Sequence, residues 1–278
     1  MLSKSKIKIL EEEYGFRPQK RLGQNFLIDA NIKKKILSTA EIKKSDTVLE
    51  IGPGLGELTF DLAEAAFDVI AVEFDKKLSA ILSELAGDFK NIKVVHKDFL
   101  DYDLQEAAPP AKKIKVVSNL PYYVSTPIIL KILDNKARIE SALLTLQKEV
   151  ADRLTAAPGT KAYGSLTLFT AFHAEVGRLF NIKKNSFYPV PRIDSTVILL
   201  KPRRTPPVKV TDEKLFLELV KASFSLRRKT LANSLAQAGF KNLSKTAVQA
   251  ALQKAGIAEN ARAEELSLAD FARIANLI

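Results

Sequence analysis

The chain has 278 residues, enough for one large core and a smaller second domain, and its 43 Lys and Arg against 32 Asp and Glu leave a net charge of +11. That surplus points to a polyanionic partner, nucleic acid before membrane. With no cysteine and only His96 and His173, disulfides and thiolate metal sites are excluded, and neither a histidine metal centre nor a Ser-His-Asp triad is expected.

Met1 to Glu13 mixes Lys with Glu and lacks the apolar stretch of a signal peptide. No apolar run approaches the about 20 residues of a membrane span. A soluble, cytoplasmic protein with no membrane partner is therefore expected. The charged start reads as a helical arm. It leads into Arg17-Pro18-Gln19-Lys20-Arg21-Leu22-Gly23-Gln24-Asn25-Phe26-Leu27, which reads as a loop because of its basic residues and Gly23. A loop carrying Lys20, Arg21, Gln24, Asn25 and Phe26 is suited to close over a ligand. The plainer reading is an arm whose Phe26 and Leu27 dock on the core.

Residues 31–46 place Ile32, Ile36 and Leu37 on one side of a helix. Thr47 to Ile51 then reads as a strand running into Gly52-Pro53-Gly54-Leu55-Gly56, with a helix from about Glu57 to Ala66. A strand, a glycine turn and a helix open a doubly wound nucleotide-binding fold. The next strand, Asp68 to Val72, ends at Glu73, 21 positions after Gly52, where an acid binds a ribose diol in such folds. The glycine spacing is G-x-G-x-G rather than G-x-G-x-x-G, and Glu50 precedes it. A carboxylate there repels a pyrophosphate and tolerates an amine or sulfonium, which favours S-adenosylmethionine over NAD. Its alternative role is to bond the turn's own amides.

A helix from Lys76 to about Ala86 is followed by a strand, Ile92 to Val95, and then by Lys97-Asp98-Phe99. Asp98 falls at the carboxyl end of the strand region, where open α/β sheets bind ligands. It reads equally as an acceptor for an adenine amine and as a helix cap or turn residue. After an exposed loop at Pro109-Pro110, the apolar run Ile114 to Val117 predicts a buried strand that stops on Asn119-Leu120-Pro121-Tyr122. Pro121 has no N–H and ends the ladder, so carbonyls of the turn are left without an assured sheet partner. Asn119 adds an acceptor and Tyr122 a flat ring, a combination suited to the edge of an adenine or to a plain strand-end turn.

The alternation continues with a helix over 126–135, a strand over 141–146 and a helix from near Glu149. Phe169, Phe172 and Phe180 are expected in the core. Phe187-Tyr188-Pro189-Val190-Pro191 reads as a stiff aromatic loop, Asp194 to Leu200 as a strand, and Arg203 to Pro207 as a linker. Residues 211–278 are helical in pattern. Val220, Phe224, Leu231 and Leu235 share a face with Arg227 only if one helix is continuous, so a break near Ser225–Arg227 is expected. Arg227, Arg228 and Lys229 then form a cluster suited to phosphates, or a solvated surface.

Taken together, these stretches resemble one family, the bacterial small-subunit ribosomal RNA adenine N6,N6-dimethyltransferases associated with kasugamycin sensitivity. The matching segments are Lys20 to Leu27, Glu50 to Gly56, Glu73-Phe74-Asp75, Asp98-Phe99, Asn119 to Tyr122, Phe187 to Pro191 with Asp194-Ser195, and Phe224 to Leu231. They span nearly the whole chain in the family's order. Leu226 departs from the pattern, standing where many relatives carry a polar residue. The resemblance implies an α/β fold with a Rossmann-like domain on a mostly parallel sheet and a small all-helical C-terminal domain. The corresponding division is an arm and cofactor-covering loop at 1–30, a methyltransferase domain at 31–205 and an rRNA-binding domain at 206–278. It also implies S-adenosylmethionine contacts from Asn25, Leu27, Gly52, Glu73, Asp98 and Asn119, with Glu73 taking the ribose and Asp98 the adenine amine. The implied substrate is two adjacent adenosines in the 3′-terminal hairpin loop of small-subunit rRNA, met in the small ribosomal subunit by a monomeric enzyme.

On the residues themselves, Asn119 Oδ1 and the Leu120 or Pro121 carbonyl are the expected acceptors for the target amine. Tyr122 and Phe187 are the expected stacking faces. The rivals are a methyltransferase for DNA adenine or large-subunit RNA, a non-enzymatic nucleic-acid-binding module resembling the mitochondrial transcription factors, and a metabolite methyltransferase. Intact Glu73, Asp98 and Asn119 disfavour the second, and the charge disfavours the third.

Overall fold

The computed structural model describes residues 3–226 and 228–278. In chain order the regular elements are α1 (Lys4–Glu13), β1 (Phe26–Leu27), α2 (Ala30–Ala40), β2 (Thr47–Ile51), α3 (Thr59–Ala65), β3 (Asp68–Glu73), α4 (Lys76–Leu85), β4 (Ile92–His96), β5 (Ile114–Asn119), α5 (Ser125–Asp134), β6 (Ile139–Gln147), α6 (Lys148–Leu154), α7 (Ser165–His173), β7 (Ala174–Ile182), β8 (Phe187–Tyr188), β9 (Ser195–Pro202), α8 (Glu213–Ser223), α9 (Leu231–Gln237), α10 (Lys245–Lys254) and α11 (Leu268–Ala275). Several helix starts are written locally in side chains. Ser3, Asp29, Asp75, Asp212, Thr230, Ser244 and Ser267 each accept a backbone N–H of the first turn they cap.

These elements fall into two compact units. One holds the chain up to Ala151 together with Gly177–Pro202, and the other holds Asp152–Val176 and Arg203–Ile278. The second unit thus takes in a mid-chain segment as well as the C-terminal residues, where the sequence predicts a single cut near 205. The reason is packing. α7 buries Leu168 and Phe172 in the same apolar core as Phe216, Leu219, Leu235 and Phe271, and the Phe172 and Phe216 rings lie 4.8 Å apart. The Tyr163 hydroxyl donates to the Leu266 carbonyl at 2.7 Å, tying the same segment to the C-terminal helices.

The first unit is built on a seven-stranded sheet in the order β4-β3-β2-β5-β6-β9-β7. The pairs β2–β3, β3–β4, β2–β5 and β5–β6 are parallel, and β6–β9 is antiparallel. β2 is buried at all five positions, as a central strand covered on both faces must be. Strand order runs one way from β2 through β3 to β4 and the other way from β2 to β5. The crevice of an open α/β sheet forms at such a reversal, outside the carboxyl ends of the strands. Those ends here are Gly52, Glu73, Lys97-Asp98 and Asn119.

The edge strand β7 was not legible as a strand, since five of its nine residues are exposed and it contains Gly177. Of the phenylalanines expected in the core, only Phe172 is fully buried. Phe169 and Phe180 are half-buried, and the Lys35 ammonium lies 4.1 Å from the centre of the Phe180 ring. In the second unit α8 stops at Ser223 and α9 begins after Thr230, which bears out the break expected between them.

Candidate active site

The cleft forms where three chain segments meet the rim of the sheet. The first is the glycine turn. Gly52 takes a φ of +66° and Gly54 one of +61°, and a side chain at either would be strained and crowded. A Cβ on Gly52 would lie 3.2 Å from Pro121 Cδ, and one on Gly54 would lie 3.1 Å from Phe26 Cε1. Glycine here lets the turn touch its two neighbours. The Gly52 N–H donates to Val72 O at 2.9 Å, so the turn is also pinned to β3.

Glu73 closes the β3 end. It is buried, and it accepts the Gly54 N–H at 3.0 Å on Oε2 and the Asp75 N–H at 2.8 Å on Oε1. Burial, with the Asp75 charge adding to it, pushes its carboxyl up to about 7 against the pull of these amides. Asp98 lies on the cleft wall as the cap of a short turn, its Oδ1 accepting the Leu100 N–H at 2.8 Å. Capping and a place on the cleft wall therefore coexist, because one carboxylate oxygen is committed and the other accepts no hydrogen bond among the described residues.

The second segment is the Asn119 turn. The Leu120 N–H donates to Thr145 O at 3.1 Å and the Val124 N–H to Pro121 O at 3.3 Å. This separates two carbonyls that the sequence left equivalent: Pro121 O is occupied by its own turn, whereas no main-chain hydrogen bond is made to Leu120 O among the described residues. Asn119 Nδ2 donates to Asn25 O at 3.1 Å, and Asn119 Oδ1 is buried without a partner among the described residues. Tyr122 lines the cleft, and its hydroxyl is 2.6 Å from the Ser195 hydroxyl, a fully buried group at the start of β9. Burial raises the Tyr122 pKa, so the ring stays a neutral phenol.

The third segment is the arm. Gln19 Nε2 and Gln24 Nε2 donate to Asp75 Oδ2 at 2.8 and 3.0 Å, and Asn25 Nδ2 donates to Gly23 O at 2.8 Å. Leu22 to Phe26 line the cleft. The two readings of this loop are thus both realised: it docks on the core and it covers the crevice.

Asn25, Gly52, Glu73, Asp98, Asn119, Leu120, Pro121 and Tyr122 are brought together around one cleft. Two expected site residues are not. β1 pairs with β8 so that Leu27 faces Phe187 and Phe26 faces Tyr188. Successive strand residues point to opposite faces. The first pair is accordingly buried in the core with Ile36, Val48 and Val117, whereas Phe26 and Tyr188 pack with Ile7, Phe16 and Leu78. Phe187, at 1% exposure, presents no stacking face, and the Leu27 side chain, at 3%, is core. Glu50 is also displaced from its expected role. It is buried and does not line the cleft, and its partner is the Thr59 hydroxyl, which donates at 2.6 Å, rather than an amide of the turn. Burial pushes it up to about 8. Sequence reasoning missed Ser195 as the anchor of Tyr122, and Glu57 and Phe74 as cleft residues. In the second unit Arg228 and Lys229 are exposed, and Arg227 lies outside the described residues.

A mostly parallel sheet, a glycine turn with an acid at the next strand end, and an Asn-Leu-Pro-Tyr turn beside them define a Rossmann-like methyltransferase. The family described as ribosomal RNA adenine dimethylase matches residues 15–278. A protein from Listeria innocua named ribosomal RNA small subunit methyltransferase A is 46% identical over 274 residues, covering 96% of this chain and 92% of that protein. Among solved structures, a dimethyladenosine transferase from Plasmodium falciparum is similar with a TM-score of 0.74 and 27% identity over 90% of this chain and 95% of that one. The 23S rRNA methyltransferase ErmE is similar with a TM-score of 0.67 and 29% identity over 91% and 99%. The chain belongs to the ribosomal RNA adenine dimethylase family.

Proposed function

We propose that this chain uses S-adenosylmethionine to dimethylate N6 of two adjacent adenosines in the 3′-terminal hairpin loop of small-subunit ribosomal RNA. The observation that carries the reading is the buried, unpartnered Asn119 Oδ1 in a cleft that also holds Tyr122. An orphaned buried acceptor costs about 1–3 kcal/mol, and a ligand donor placed against it recovers that cost. The identity to the Listeria protein supports the small subunit as the target. The fold alone does not separate small- from large-subunit RNA, since ErmE shares it.

The residues present fit the cofactor. Glu73 offers carboxylate oxygens for ribose hydroxyls, Asp98 keeps an uncommitted oxygen for an amine, and Gly52, Asn25 and Asn119 border the remaining space. When bound, S-adenosylmethionine supplies an electrophilic methyl group on a sulfonium. The protein's part is to make a poor nucleophile better. The lone pair of an adenine amine is delocalised into its ring. Asn119 Oδ1 and the Leu120 carbonyl accept its two hydrogens and favour the pyramidal, increasingly positive nitrogen of the transition state over the flat ground state. Tyr122, held by Ser195, stacks on the flipped base, a contact worth about 1–3 kcal/mol. No histidine is needed, because the alkylated nitrogen is acidic and loses its proton to a carbonyl or water. Arg227, Arg228 and Lys229 contact RNA phosphates.

The test is transfer of radiolabelled methyl groups to under-methylated small subunits, naked large-subunit RNA and DNA, with the modified base identified by mass. Dimethyladenosine in the small subunits is expected. Transfer to large-subunit RNA or DNA with none to the small subunits refutes the assignment.

A further inference from the structure

One buried acid in the cleft has no part in the scheme above. Glu57 follows the glycine turn, is 6% exposed and lines the cleft beside Gly54, where a Cβ would lie 3.3 Å from Glu57 Oε2. It also lines a second cavity, with Lys6 and Leu10 of α1, Lys33 of α2, and Phe60, Asp61 and Glu64 of α3. The charged groups that act on it most strongly are Glu50, Glu73 and Lys33, while Lys6, Asp61 and Glu64 share the second cavity with it. Glu50 of β2 and Glu73 of β3 are repulsive, and Lys33, the attractive one, is already in an ion pair with Asp61. The hydrogen bond that favours its charged form comes from its own N–H. The chain thus sets a buried carboxyl at the edge of the cleft, among other acids, and among the described residues no Lys or Arg forms an ion pair with it; Lys6, on the second cavity, is exposed. A buried charge without a partner is so costly that the group stays protonated until a cation arrives.

We propose that Glu57 is the counter-charge for the cationic methionyl end of the cofactor, giving up its proton to solvent when that end enters the cleft. The inference rests on the cofactor reading above. It adds a residue that selects a cationic ligand over a neutral or anionic nucleotide of similar shape. Such a group makes affinity rise with pH wherever the unliganded group is still protonated, because deprotonation is then part of binding. Glu50 and Glu73, the neighbouring acids, are the other groups able to contribute to the slope, so the variant and not the wild-type slope alone is diagnostic.

The experiment is titration calorimetry on the full chain, wild type and Glu57→Gln, in two buffers of different ionisation enthalpy, with S-adenosylmethionine and with S-adenosylhomocysteine. Losing a charged partner weakens binding by about ten- to a hundredfold. Weakening for both ligands identifies the ammonium as the cation, and weakening for S-adenosylmethionine alone identifies the sulfonium. The wild type should release protons on binding, and the variant fewer. Ligand-free melts guard against misfolding: Glu57→Gln removes a buried acid, so its midpoint should equal or exceed that of the wild type. Wild-type affinity and proton release in the variant overturn the proposal, as does a wild-type binding enthalpy that does not depend on the buffer. Failure of the wild type to bind S-adenosylmethionine at all overturns instead the cofactor reading on which it rests.

Discussion

Replacing Asn119 by alanine separates a chemical role from a structural one, because the two ends of its amide do different things. Nδ2 holds the arm through Asn25 O at 3.1 Å, and Oδ1 is buried with nothing to accept. Deleting the side chain removes one neutral hydrogen bond, a loss of about 0.5–1.5 kcal/mol, and relieves an unsatisfied buried acceptor that costs about 1–3 kcal/mol. The two offset, so the ligand-free protein should melt within a few degrees of the wild type. In the transition state there is no such offset. Loss of a preorganised acceptor for developing charge costs about 10²–10³ in rate, or about 2.7–4 kcal/mol. Single-turnover methyl transfer at saturating cofactor and small subunit reads this directly, with cofactor affinity measured alongside. The rate should fall far more than the affinity. Asn119→Asp keeps the acceptor and shape but loses the NH2 donor, and should retain activity above that of the alanine variant. Near-normal single-turnover rates in Asn119→Ala would refute the amine-acceptor mechanism and return the turn to a structural role.

Three further outcomes are expected. Ser195→Ala removes the anchor of the Tyr122 hydroxyl and should slow single-turnover transfer by no more than the about 1–3 kcal/mol that base stacking supplies, with the cofactor dissociation constant unchanged; an unaltered rate means the ring needs no anchor. Glu50 is held at about 8 against an ordinary 4.5, so its contribution to stability is full below 4.5 and falls as pH rises towards 8, where the unfolded chain ionises and the fold does not. Thermal melts of Glu50→Gln should accordingly gain on the wild type from about pH 5 to about pH 8, and parallel pH profiles would show that Glu50 is not held neutral. Neutralising Arg228 or Lys229 should lower the salt slope of subunit binding by about one unit for each phosphate that is no longer neutralised, leaving cofactor affinity unchanged; an unchanged slope makes the cluster plain surface.

Features whose cause is local were legible in the sequence. The strand from Thr47 and its glycine turn were readable because an apolar β-branched run and a left-handed turn each need few residue types. Asn119 was readable because Pro121 must end a ladder, and the break after Ser223 because a continuous helix would have carried Arg227 round to its apolar face. What was missed depends on partners far along the chain. Whether Phe26 or Leu27 faces the cleft is settled by pairing with Tyr188 and Phe187, whose pleat fixes both residues at once. An apolar helix such as α7 announces that it is buried but not in which core. Leu120 O and Pro121 O were indistinguishable until the Val124 N–H was seen to occupy one of them. Glu57 carried no signal beyond an acid after a glycine, since its neighbours Lys6, Leu10 and Lys33 come from helices far from it in the sequence.

The link between Asn119 and the arm also fixes a handedness of another kind. A carboxamide is nearly symmetric in shape, and rotating it by half a turn exchanges an acceptor for a donor. A main-chain carbonyl can only accept, so Asn25 O requires the NH2 end of Asn119 to face the arm and thereby fixes the oxygen at the opposite end, buried and without a partner among the described residues. On the proposed role of Asn119, a residue 94 positions earlier in the chain thus decides whether an incoming amine meets a lone pair or two hydrogens. With the arm lifted away, the same side chain is free to present its wrong end, and donor would meet donor. Covering the crevice and setting the sense of the amide are a single event, so an open arm leaves the sheet rim in place and the sense of its amide undefined.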